Sequence, residues 1–128
     1  MFIHKFLNSL NKDSLIKLHN GGSNFRDFTY VGDVVNILSK VIKKKLKNET
    51  INICRSKPII TNRLVSLIIK IYKTKKKPNI QKIGFVKGEM FKTHGSNKKL
   101  KKEFGNIKFT DIKKGLKETI KVFKRLKF

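Results

Sequence analysis

At 128 residues and 38% hydrophobic content, the chain holds material for one core and not for two. No apolar run approaches the roughly 18 residues of a membrane-spanning helix, and Met1 to Lys5 lacks the layout of an export signal, so a cytoplasmic protein is expected. A single cysteine, Cys54, excludes an internal disulfide, and 32 basic against 8 acidic residues give a formal net charge of +24.

Apolar residues at Phe2, Ile3, Phe6, Leu7 and Leu10 predict a first helix. Leu15 to Leu18 reads as a short strand ended by the turn Asn20 to Asn24, and Phe25 to Val31 as a strand or extended segment. Asp33 is placed to cap a helix whose inner face carries Val34, Ile37, Leu38, Val41 and Ile42. After the solvated run Lys43 to Asn48, Thr50 to Cys54 predicts a strand closed off by Pro58. Thr61 is placed to cap a helix burying Leu64, Leu67, Ile68, Ile71 and Tyr72. A basic loop, Lys73 to Pro78, leads to a weaker strand, Asn79 to Phe85, and a loop, Val86 to Ser96. Asn97 to Phe104 predicts a short basic helix stopped by Gly105, and Thr110 is placed to cap a last helix with Leu116, Ile120, Phe123 and Leu126 inward. Strands alternating with helices predict an α/β fold in one domain.

The charge taken alone points to nucleic acid, because cations that neutralise phosphates release counterions. Against this, only four basic residues are arginine, and the lysines are spread along the whole chain. Lys, Ile and Asn make up 55 of the 128 residues and alanine is absent, the pattern of an A/T-rich coding sequence. A small basic nucleic-acid-binding protein therefore stands as the alternative reading. On either reading the field of the chain attracts anions.

Chemistry-bearing clusters are few. Cys54, His4, His19 and His94 lie too far apart in sequence for a metal site, and no metal ligand set is expected. Cys54 has no base to orient it and reads as a packed residue. Neither GxxxxGK[ST] nor GxGxxG occurs.

The informative stretch is Asn20 to Ile42, NGGSNFRDFTYVGDVVNILSKVI. It resembles the RDFTYVDD segment of extended short-chain dehydrogenase/reductases, above all the UDP-glucuronate 4-epimerase group of the NAD-dependent epimerase/dehydratase family. The resemblance continues in order. TINICRSKP, from Thr50 to Pro58, is similar to the family's YNIG-x-x-x-P. VKGEMFKTHGSNKKLKKEFG, from Val86 to Gly105, is similar to QPGDVxKTxADxSKAKKELG, and Thr110 to Phe123 looks like the terminal TSxEEGL helix. Gly32 stands where the family has an aspartate, and Val86 where relatives carry Gln or Arg. Cys54 and Arg55 replace a glycine-containing turn, and Gly95 and Ser96 replace an Ala-Asp pair.

The resemblance implies a single incomplete domain, residues 1–128. It is the C-terminal substrate-binding part of a Rossmann-type fold, including its last nucleotide-domain strand. Arg26 would reach the diphosphate of a bound nucleotide sugar, and Glu89 would order the loop near the nucleotide. For Arg26 the local alternative is a salt bridge or turn contact, and for Glu89 an exposed loop carboxylate. In the full-length family, NAD takes a hydride from the sugar C4 and returns it to the other face, with a Tyr-x-x-x-Lys tyrosine as base. Those groups precede the resembling segments, so no catalytic or NAD-binding residue is assigned here, and the expectation is a UDP-sugar ligand, no NAD bound by this part alone and possible pairing with a separate chain carrying the NAD-binding half. A Tyr-x-x-x-Lys string does occur at Tyr72 to Lys76. Among 28 lysines, and ending an apolar helical stripe, Tyr72 reads as a core residue.

Overall fold

The computed structural model describes residues 2–44, 46, 48–74 and 76–126; Lys45, Lys47 and Lys75 of the two predicted basic runs lie outside the described residues. The order is α1 (Phe2–Asn11), β1 (Ile16–Leu18), a 3-10 turn (His19–Gly22), β2 (Phe25–Arg26), α2 (Val31–Lys44), β3 (Ile59–Ile60), α3 (Thr61–Tyr72), β4 (Ile80–Lys82), α4 (Lys98–Phe104) and α5 (Ile112–Leu126). β1 and β4 pair in parallel, Ile16 opposite Ile80 and Leu18 opposite Lys82. β2 and β3 pair antiparallel, Phe25 opposite Ile60.

The core lies between α1, α3 and α5, with β1 beneath them. Phe6 and Leu7 of α1, Ile16 and Leu18 of β1, Leu64, Val65 and Ile68 of α3, and Leu116, Ile120 and Phe123 of α5 form one buried cluster. In each helix the buried positions fall on one side, at spacings of one, three or four residues, so one stripe turns inward and the lysines stay in water. Tyr72 packs at the edge of this cluster. Its hydroxyl donates to Asn11 Oδ1 (3.3 Å) and Lys124 Nζ sits 4.4 Å from its ring centroid.

The turn after β1 explains its sequence. Asn20 and Gly21 both adopt left-handed conformations (φ 48° and 56°), which Asn and Gly tolerate best. Gly22 is also left-handed, and a Cβ there would run into the Asn62 amide. That amide donates to Gly21 O (3.0 Å), locking the turn to α3.

Several local expectations are corrected. Of the segment Phe25 to Val31, Phe25 and Arg26 pair as a strand, Asp27 to Tyr30 join no ladder, and Val31 belongs to α2. Tyr30 opens α2, its carbonyl accepting from the Asp33 and Val34 amides. Asp33 is thus inside the first turn, and its carboxylate accepts from Thr110 N (2.8 Å) and Thr110 Oγ1 (2.7 Å). Thr110 in turn precedes the cap of α5. Asp111 fills that role, with Oδ1 accepting from Lys113 N (2.9 Å). Thr61 is the first residue of α3 and donates its hydroxyl to Asn24 O (2.8 Å). Leu126 is exposed, as are Leu38 and Ile42 of α2. Thr50 to Cys54 forms no ladder with any described residue. A strand is defined by its partner, so propensity alone does not make one.

Candidate functional site

The parallel pairing of β1 with β4 continues into the turn: Asn20 N donates to Gly84 O (3.1 Å) and Gly21 N to Ile83 O (2.9 Å). The segment from Val86 to Thr93 is then drawn back over β2, where Phe25 N donates to Phe91 O (2.8 Å) and Thr93 N to Phe25 O (3.1 Å). Phe25 and Phe91 meet edge to face, with centroids 5.9 Å apart. This tether brings Glu89, 63 residues away in the chain, beside Arg26.

Arg26 is held on several sides. Its Nη1 donates to Phe25 O (2.7 Å) and Phe91 O (3.3 Å), and its Nη2 lies 3.4 Å from Glu89 Oε1. The other Glu89 oxygen, Oε2, is 2.9 Å from His19 Nδ1. Arg26 thus sits in an ion pair with a carboxylate distant in the chain, and both oxygens of the half-buried Glu89 are engaged. Arg26, His19 and Glu89 together line a cavity of about 360 Å³, whose other walls come from α1 (Phe2, Lys5, Phe6, Ser9), β1, Asn24 and Thr61. Aromatic and aliphatic walls with a few convergent charged groups are the composition of a small-molecule site.

Two contributors had not been assigned roles from sequence. His19 reaches the site because it follows β1 directly. Asp27, next to Arg26, is a tie: its carboxylate accepts from Lys57 N and Gly95 N (both 3.3 Å), joining the 57 loop to the 95 loop. The motif thus divides its labour, arginine toward the cavity and aspartate toward the scaffold.

Cys54 is half-buried, not within a strand, and its Sγ lies 2.6 Å from where a Cβ on Gly95 would be. Burial pushes its thiol pKa up and the Asp27 carboxylate pushes it further, against a smaller lowering by a backbone hydrogen bond at Ser56. A thiol held protonated is a poor nucleophile. Tyr72 and Lys76 point to different partners, Asn11 and Asp13 (Lys76 Nζ to Asp13 Oδ2, 2.7 Å). The Tyr72 hydroxyl and the Lys76 ammonium therefore do not act as a pair. No cluster of three metal-ligating side chains occurs among the described residues, and none of their helices is long and apolar enough to cross a membrane.

These elements define an α/β fold of the extended short-chain dehydrogenase/reductase kind. The structure of UDP-glucuronic acid 4-epimerase from Bacillus cereus, in complex with UDP-glucuronic acid and NAD, matches with a TM-score of 0.85 and 22% identity, over 98% of this chain and 40% of that one. UDP-glucose 4-epimerase from Thermotoga maritima with UDP-glucose matches at 0.84 and 24%, over 100% and 40%. In sequence, residues 1–54 match the NAD dependent epimerase/dehydratase family. The uncharacterized protein MJ1055 of Methanocaldococcus jannaschii is 31% identical over 117 residues, which are 91% of this chain and 35% of that protein. The chain therefore spans about a third of the length of that relative. These matches lend no support to the nucleic-acid-binding alternative.

Proposed function

We propose that this chain is the C-terminal, nucleotide-sugar-binding part of a NAD-dependent sugar epimerase of the UDP-glucuronate 4-epimerase type. The observation that carries the reading is Arg26, fixed by two backbone carbonyls at the rim of the 360 Å³ cavity. A planar, permanently charged fork held in place beforehand loses little freedom on meeting a diphosphate. Glu89 keeps the guanidinium oriented in the absence of ligand, and His19 holds Glu89 from the other side. Lys5 adds positive charge to the same cavity. Two solved structures with this fold carry UDP-glucuronic acid and UDP-glucose, which supports a UDP-sugar as the ligand class.

Hydride transfer belongs to NAD and to groups outside the set described here, so the chain by itself binds without epimerising. Its apolar side supports a need for a covering NAD-binding half, in the same or a separate polypeptide. Val31, Val35, Leu38 and Ile42 form an exposed stripe on α2 at spacings of four, three and four, and Val31 also borders an apolar cleft of about 290 Å³ between α1 and α5.

Calorimetric titration of the chain with UDP-glucuronate tests the binding claim. Saturable binding is expected, weakened about 10- to 100-fold in Arg26→Gln, the range for losing a hydrogen-bonded charge. Equal affinity for free glucuronate, or an unchanged affinity in Arg26→Gln, would remove the diphosphate role.

A further inference from the structure

A third cavity, of about 380 Å³, shares no wall with the Arg26 site. Its lining includes Arg55 and Lys57, Asn97 and Lys101, and Lys108 with Asp111. The segment at 55–57 and the segment at 97–111, some 40 residues apart, thus bring four cations to one space. Among the described residues none of these four cations is in an ion pair. The lining carboxylate, Asp111, has Oδ1 turned to the Lys113 amide at the start of α5.

In a chain with 28 lysines, a cluster of lysines is weak evidence. Arg55 is what marks this cavity. Its backbone is pinned at both ends: the amide donates to Thr29 Oγ1 (3.1 Å), and the carbonyl accepts from the buried Asn97 side chain (3.3 Å). Its Nη2 donates to Lys57 O (2.7 Å), which fixes the guanidinium plane. Its Nε is buried and has no hydrogen-bond partner among the described residues, the one such side-chain atom there. A buried donor on a charged group without an acceptor is costly, and a small turn of the side chain that brought it to an anion in the cavity would relieve that cost.

We propose that this cavity is an oxyanion site that takes a tetrahedral phosphate or sulfate group borne by a small molecule, with Arg55 as its fork and Lys57, Lys101 and Lys108 as supporting charges. The cavity is larger than a bare ion requires and falls in the range of small-molecule pockets. The site uses none of the residues assigned to the nucleotide sugar, so it stands or falls independently of that reading.

The test is a titration of the full chain with inorganic phosphate, sulfate and acetate, followed by ¹H–¹⁵N NMR at about 0.15 M ionic strength to screen general attraction. Phosphate and sulfate are expected to saturate and shift the Arg55 Nε–H resonance together with the amides of Lys57 and Lys108, while acetate does not. Arg55→Met is expected to weaken phosphate about tenfold or more. Lys108→Gln, a surface change that leaves the fold intact, is expected to weaken it several-fold. Lys12→Gln removes one exposed charge elsewhere and should leave the midpoint read at Arg55 unchanged. Shifts that spread over many lysines without saturating, acetate binding with the same midpoint, or equal losses in Lys12→Gln and Lys108→Gln would each overturn the proposal.

Discussion

The cavity side and the α2 side of this molecule differ in how far the chain completes them. Around Arg26, β1 pairs with β4 and β2 with β3, the turn is pinned by Asn62, and Glu89 is held between an arginine and a histidine. On α2, Ile37 is buried, but Val31, Val35, Leu38 and Ile42 face outward, and the following Thr50 to Ile53 has no ladder. Full burial of such an apolar side chain contributes about 1.5–3 kcal/mol, so the open side holds a reserve of association energy that the closed side has already used in folding. The lesson is that binding geometry and self-sufficient folding are separable here. One face is organised by contacts within the chain, and the other leaves an apolar stripe exposed.

The comparison is tested most severely by paired substitutions. Leu64, fully buried on α3, is expected to cost about 2–5 kcal/mol as Leu64→Ala, whereas Leu38→Lys on α2 should change the stability of the chain by about 0.5 kcal/mol or less. Urea denaturation of the two variants reads the difference, and comparable losses would erase the distinction between the sides.

A smaller effect is expected where the 54 and 95 loops meet. The Cys54 Sγ occupies the space a Cβ on residue 95 would need, so Gly95→Ala should destabilise by about 1–3 kcal/mol through overpacking. In a Cys54→Gly background that penalty should shrink, giving a clear coupling energy in a double-mutant cycle. Additive effects would mean that the two loops do not compete for this space. The two departures from the family pattern, side chain gained at 54 and lost at 95, then become one exchange of volume.

The smallest effect belongs to the exposed Glu49–Lys99 pair, 2.5 Å apart. Lys99 holds the Glu49 carboxyl below its ordinary pKa, first by hydrogen bonding and then by charge. A lowered folded-state pKa means stability present above the unfolded value and lost as pH falls through the folded one. Glu49→Gln should therefore lower Tm slightly at neutral pH, and the gap should close in acid and at high salt. A gap that widens in acid would reverse the assigned sign.

Much of the fold was legible because its helices carry their own period. α1, α3 and α5 follow from apolar spacing alone, and the Asn20-Gly21-Gly22 turn from its chemistry. Legibility failed where a partner decides the outcome. Asp33 is a good cap by type, but its carboxylate is claimed by Thr110, 77 residues on. Thr50 to Cys54 has strand composition without a strand beside it. The α2 stripe is apolar as expected, yet burial depends on what covers it. At the site, Arg26 and Glu89 were reached through the family pattern, whereas their ion pair and the involvement of His19 follow from the β1–β4 pairing, which has no local signal. The position of His19 directly after a buried strand and before a left-handed turn was the one available hint.

The central claim is that the Arg26 cavity, built by this chain alone, receives the nucleotide sugar. The most direct measurement is a ¹H–¹⁵N chemical-shift map of the chain on addition of UDP-glucuronate. Shifts concentrated at His19, Asn24, Arg26 and Glu89 are expected, with α2 unaffected. Shifts confined to α2 and the cleft beside Val31, with the Arg26 cavity silent, would contradict it.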